Sequence, residues 1–287
     1  MRSRFLGIIF IVLAAFIFGY TPILVKLSFE GGANGLTIVF LRAAISLPIL
    51  AAIMAVAKIP IKLPGNLVKE MLFCASCYGV IAIFLYSSFN HISVSLAVTI
   101  HYIYPALVML AGALFFREAM NMYKWATLIL VAIGILLLVE DVGTINYLGI
   151  FLSVISGFLA AVYIIALGRS NLRKLHYLTI TFYLCLTQSI LAFCAGVITG
   201  ELTFALTNTA WAYAAIISIL ISVFGVTFFQ QGVMRAGSST ASLVSCLEPI
   251  ISMTFGVIIL SEVLTPFSIT GGALIVLSVA VVSFTKQ

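Results

Sequence analysis

Two stretches of equal length decide how this chain reads: Ser95 to Glu118, SLAVTIHYIYPALVMLAGALFFRE, and Ser239 to Glu262, STASLVSCLEPIISMTFGVIILSE. Offset by 144 residues, they superpose without a gap. Ser95 and Ala97 fall on Ser239 and Ala241, Pro105 on Pro249, Met109 on Met253, Gly112 on Gly256 and Glu118 on Glu262. Each is an apolar run with a proline near its middle and a carboxylate at its end. The shared spacing marks an internal repeat of about half the chain, which sets the architecture before any single residue is interpreted.

Around these stretches, apolar runs separated by Gly, Pro, Asn or charge predict ten membrane-crossing helices. They lie at about 5–27, 35–57, 68–89, 93–116, 122–139, 147–168, 178–199, 211–231, 238–260 and 267–285. At about 1.5 Å per residue most of them cross a hydrocarbon core of about 30 Å. The repeat divides them five and five, over residues 1–140 and 146–287. Five is odd, so the second set enters the membrane upside down relative to the first. The expected fold is an all-α membrane protein of ten transmembrane helices arranged as two inverted five-helix repeats.

Composition agrees. Of 287 residues, 63% are hydrophobic and 8% charged, against about 25% charged in a soluble domain, and the mean hydropathy is +1.29. These values exclude a soluble globule, a disordered chain, a coiled coil and a nucleic-acid-binding domain, although the isoelectric point is near 9.1. The net charge of +6 reports topology. With the N-terminus in the cytoplasm, all the basic residues except Lys26 and Arg42 fall on that side, as the positive-inside rule requires. Both termini are thus expected in the cytoplasm of a multi-pass protein of the cell membrane. The first apolar run is too long for a signal peptide and reads as a retained helix. The five cysteines, including Cys74-x-x-Cys77, have no second pair or nearby His and read as small packing residues, so neither a metal nor a cofactor is expected.

Glu248 is the most informative side chain. It lies near the middle of the ninth span, where an ionised carboxylate costs several kcal/mol unless it is paired, wet or protonated. Its repeat mate is Tyr104, and each precedes a proline. Pro105 and Pro249 remove a backbone donor and free the carbonyls of His101 and Ser245 four residues earlier. Interrupted backbone with polar side chains at matching depth is a common way to build a midplane site. The bland alternative is Glu248 as interhelical glue. His101 is either a packing residue or a cavity residue able to share a proton with Glu248. Gly19-Tyr20-Thr21-Pro22 predicts a kinked, cavity-facing first helix, with Tyr163 offered by the counterpart span of the second half. Lys26 is expected to snorkel to the outer interface rather than bind substrate. Arg42 either snorkels, pairs with Glu30 or meets an anionic group.

Mid-membrane phenols want partners, so Tyr78, Tyr86, Tyr102, Tyr104, Tyr163 and Tyr183 should face protein or water. Gln188, Gln230, Gln231, Ser218, Ser222 and Thr227 extend this set into a lining for a polar or amphipathic small molecule. No phosphate-binding loop, His-Glu-x-x-His, Gly-x-Ser-x-Gly or carboxylate cluster is present in the sequence.

The chain resembles the EamA family of the drug/metabolite transporter superfamily. The resemblance rests on Leu41-Arg42-Ala43-Ala44, on Pro105 followed by Phe116-Arg117-Glu118, and on Leu247-Glu248-Pro249 followed by Leu260-Ser261-Glu262. It implies a secondary carrier with a central cavity, moving amino acids, other metabolites or toxic organic compounds, often outward. The expected partners are a small-molecule substrate, the lipid bilayer and protons as coupling ion. The substrate would contact Tyr20, Tyr78, His101, Tyr104, Tyr163, Ser245 and Glu248. Pro22, Pro105 and Pro249 would break helices, and Glu118 and Glu262 would brace gates. Three rivals remain open: a carrier of nucleotide-like or phosphorylated metabolites, a membrane-embedded lipid-modifying enzyme, and a receptor or assembly subunit without flux.

Overall fold

A computed structural model describes residues 2–92, 94–116, 120, 122–139, 146–260 and 266–283. The described residues form helices and short connections, with no strand. An apolar solvent leaves a backbone no partner except itself, and among open-ended elements only the helix satisfies every N–H and C=O internally. The helices are α1 (Arg2–Glu30), α2 (Gly35–Val56), α3 (Val68–Ser88), α4 (Val94–His101), α5 (Tyr104–Phe116), α6 (Met122–Val139), α7 (Tyr147–Arg169), α8 (Tyr177–Thr199), α9 (Asn208–Ile217), α10 (Val226–Ala236), α11 (Ser238–Val244), α12 (Leu247–Leu260) and α13 (Pro266–Ser283). A π-helical stretch, Ser218–Gly225, joins α9 to α10.

Helix starts follow the capping residues. Asn34 accepts from the Thr37 N–H at 2.8 Å, Asn146 from Leu148 and Gly149 at 3.1 and 3.2 Å, and Thr207 from Ala210 at 3.3 Å. His176 caps α8 by accepting the Leu178 N–H at 3.2 Å.

Among the described residues, seven helical segments are long and apolar enough to cross a membrane: Arg4–Glu30, Gly35–Val56, Gly65–Ser88, Tyr147–Arg169, Tyr177–Thr199, Asn208–Ala236 and Ser238–Leu260. Large apolar side chains around the bundle, among them Phe16, Phe73, Phe158 and Phe193, are exposed, a surface that suits hydrocarbon and not water. The sequence also anticipates spans at 93–116, 122–139 and 267–285, which correspond to the α4–α5 pair, α6 and α13. Glu118 and Glu262 lie outside the described residues.

The connections gather at two ends. At one, Arg173 donates to the Met234 carbonyl at 2.9 Å, Glu70 accepts from the Asn171 N–H at 2.8 Å, and Thr179 donates to the Pro60 carbonyl at 3.0 Å. At the other, the Asn34 side chain donates to the Glu201 carbonyl at 2.6 Å and the Thr207 N–H to the Gly31 carbonyl at 3.0 Å. Arg4, Lys58, Lys62, Lys69, Arg169, Arg173, Lys174 and Arg235 all sit on segments of the first end.

Two long apolar segments are interrupted inside the bundle. Tyr102–Ile103 separates α4 from α5, and Ser245–Cys246 separates α11 from α12. Pro105 and Pro249 lie in the first turn after each break, where a missing N–H costs nothing. The Ser245 carbonyl is not freed as the sequence predicts: the Glu248 N–H closes on it at 2.9 Å in a tight turn. Pro22 does not interrupt α1, which remains one helix. There the Thr21 hydroxyl donates to the Ile17 carbonyl at 2.7 Å, and α1 is flanked by α10 and α12, the kind of support that lets a membrane helix tolerate proline.

Each break is backed by a glycine. A Cβ at Gly157 of α7 would stand 2.6 Å from the His101 carbonyl, and one at Gly19 of α1 would stand 2.7 Å from the Glu248 carbonyl. The backbones approach so closely that no side chain fits between them. Gly157→Val is therefore expected to lower the unfolding free energy by about 2 kcal/mol or more, measured as loss of the monodisperse fraction on heating in detergent. An unchanged melting curve would contradict this close packing.

Candidate functional site

The two breaks place side chains from seven helices around one cavity of about 100 Å³. Phe18 comes from α1, Tyr78 and Ile81 from α3, His101 from α4 and Tyr104 from α5. Ala160, Tyr163 and Ile164 come from α7, Val226 and Phe229 from α10, and Glu248 from α12. The wall is mostly aromatic and aliphatic, with few polar groups. Tyr78 and Tyr163 sit 5.5 Å apart, and His101 and Tyr104 5.4 Å apart, ring centre to ring centre.

Ser156 of α7 positions the imidazole. Its hydroxyl lies 2.8 Å from His101 Nδ1 and donates to the Ile81 carbonyl at 3.1 Å. A hydroxyl has one proton, so donation to Ile81 leaves only the serine oxygen for His101. In that arrangement Nδ1 carries a proton, and Nε2 is the ring's bare acceptor. Glu248 is half-buried, and its carboxyl neighbours the hydroxyls of Tyr102 and Ser245. Those two hydroxyls and that of Tyr163 are buried without a hydrogen-bond partner. The site thus combines one carboxyl, one oriented imidazole and three uncommitted hydroxyls within an apolar shell, which is chemistry for holding a polar or amphipathic molecule. Among the described residues, no three His, Cys, Asp or Glu side chains come together to hold a metal.

Both halves of the chain, residues 5–140 and 147–284, match the EamA-like transporter family. The protein belongs to that family. Among curated relatives, an uncharacterized transporter of Synechocystis is 24% identical over 79% of this chain and 70% of its own. The pseudopaline exporter CntI of Pseudomonas aeruginosa is 25% identical over 98% of this chain and 97% of its own. A solved crystal structure superposes with a TM-score of 0.76 over 98% of this chain and 97% of that one. Its 17% identity speaks for the fold alone.

Within this EamA transporter, five of the residues proposed from sequence, Tyr78, His101, Tyr104, Tyr163 and Glu248, share one cavity. Ser245 stands behind Glu248, fully buried. Tyr20 is not in the wall; it packs edge-on against Phe255 at 4.8 Å. The expected polar lining of the eighth span is also corrected. Ser218 donates to the Ala214 carbonyl one turn back at 2.6 Å, Ser222 donates to the Arg42 carbonyl at 3.2 Å, and Gln230 donates to Thr181 at 3.1 Å, so these groups satisfy backbone or join helices. Tyr183 likewise donates to the Ile61 carbonyl at one end of the bundle.

Sequence reasoning missed Ser156. The available signal was the stripe of small residues at Ser153, Ser156, Gly157, Ala160 and Ala161, whose helical spacing marks a close-packed face. Nitrogen-15 spectra of histidine-labelled protein should show His101 as the Nδ1–H tautomer, unlike a freely exchanging ring. Ser156→Ala should release that preference and cost about 1 kcal/mol of stability. An unaltered His101 signal would refute the assignment.

Proposed function

We propose that this EamA transporter is a secondary-active exporter of small organic metabolites such as amino acids or related compounds, working by alternating access around the cavity. The carrying observation is that polar and aromatic side chains from both halves converge at two interrupted helices. Support for export comes from the Pseudomonas relative, a pseudopaline exporter, at 25% identity.

The reading includes ten spans in two inverted repeats over residues 1–140 and 146–287. The 144-residue register supports it, as do the packing pairs. Exchanging corresponding helices of the two halves turns the α1–α10 contact into α7–α3 and the α1–α12 contact into α7–α5, and all four pairs occur. Collection of the basic residues at one end supports a cell-membrane protein with both termini cytoplasmic.

A volume of about 100 Å³ is small beside the several hundred Å³ of a typical ligand pocket. Substrate entry therefore requires the halves to part, and the broken helices are natural places for that motion. Glu248 is the proposed proton-coupling group. A phosphorylated substrate is disfavoured because, among the described residues, no Lys or Arg belongs to the cavity wall.

Proteoliposomes offered labelled amino acids and amphipathic amines should show flux of at least one compound, accelerated by an imposed pH gradient. Glu248→Gln should remove that acceleration while leaving the protein folded. Flux by the variant that responds equally to the gradient would exclude Glu248 as the coupling group. Chemical conversion of the compound without movement would refute the carrier reading.

A further inference from the structure

Arg42 is the one Lys or Arg side chain among the described residues that lies deep in the bundle, 4% exposed, eight residues into α2. It neither snorkels nor pairs with Glu30, the two ordinary outcomes anticipated from sequence. Its Nη2 donates to Gln188 Oε1 at 3.2 Å, while its Nε–H has no partner. The guanidinium lies 5.2 Å from the Tyr86 ring centre and 5.8 Å from that of Tyr78. Gln188 is itself fixed by donating to the Val39 carbonyl at 3.0 Å.

No described carboxylate neutralises this charge. Glu30 and Glu201 are exposed at one end of the bundle, Glu70 holds Asn171 at the other, and Glu248 neighbours Tyr102 and Ser245. A neutral amide and two aromatic faces offset part of the cost of burying a guanidinium, but the full positive charge remains. Intramembrane charges held in this way mark ligand pathways. The Tyr78 ring that receives the guanidinium is also part of the cavity wall.

We infer that Arg42 is the docking point for a carboxylate group of the transported molecule, reached when Tyr78 turns aside. This inference rests on the carrier reading above and narrows its substrate class to carboxylate-bearing metabolites. A carboxylate takes two parallel N–H groups of a guanidinium, and the unpartnered Nε–H is one such donor. A phosphate, with more charge, would call for a second cation, and the other described basic residues lie toward the helix ends and connections.

The test uses the purified full chain and its thermal denaturation at constant ionic strength. The probes are acetate, butyrate, benzoate, phenylacetate, L-leucine and L-phenylalanine, each against the corresponding uncharged or C-terminally amidated compound. At least one carboxylate should raise the melting temperature saturably by several degrees more than its amide. Arg42→Gln should abolish the difference, Arg42→Lys should weaken the apparent affinity about tenfold through loss of the planar fork, and Lys26→Gln, at an exposed position, should leave it intact. If Arg42→Gln does not fold, Arg42→Lys decides: full wild-type affinity in that variant overturns the inference. The absence of any carboxylate-specific shift, or its persistence in Arg42→Gln, also overturns it. Flux in proteoliposomes together with such a negative result would leave the carrier standing and remove only the role of Arg42.

Discussion

Everything in this molecule depends on the backbone finding its own partners where there is no water. In hydrocarbon an unpaired N–H or C=O costs several kcal/mol, so a membrane chain is helical by default, and a broken helix survives only where protein or a cavity surrounds it. This chain breaks two of its apolar segments, at Tyr102–Ile103 and Ser245–Cys246. Both breaks are wrapped by a neighbouring helix that presents glycine, Gly157 to one and Gly19 to the other. Their exposed edges open together on the cavity. The interruptions and the site are the same feature seen from two sides.

Helix association in lipid gains little from apolar contact, because the tails are as apolar as leucine. Polar groups buried between helices therefore do much of the positioning. Ser156 bridges α7 to α3 and orients His101; Ser222 ties the π-helical stretch to α2; Gln188 ties α8 to α2 at Val39 and at Arg42. Each such bond is worth about 0.6–2 kcal/mol, enough in sum to set which face of each helix looks inward. The π-helical stretch adds its own shift of phase. The Val226 N–H reaches back to the Ile221 carbonyl, five residues away, which turns the following helix relative to the preceding one. Val226 and Phe229, just beyond it, are both in the cavity wall.

These bonds also separate two kinds of mid-membrane polar residue that composition treats alike. Ser218, Ser222 and Gln188 are consumed by neighbouring backbone or by Arg42, whereas Tyr102, Tyr163 and Ser245 keep hydroxyls without partners beside Glu248 or the cavity. A phenol or hydroxyl in an apolar segment announces only that it needs a partner. Which partner it finds depends on the helix opposite.

The family, the helical character and the repeat were readable from residue order, because hydrophobic run length and the 144-residue register are local or translational properties of the chain. So was the shortlist led by Glu248, since the cost of a carboxylate in hydrocarbon holds for any packing. Tertiary structure alone decided that Tyr20 turns to Phe255, that Pro22 leaves α1 whole, that Ser156 orients His101 and that Arg42 is buried without a carboxylate. The reason is physical: burial cost belongs to a residue and its depth, whereas hydrogen-bond partners belong to pairs of helices far apart in sequence. Residue order states the need for a partner, and only packing supplies one.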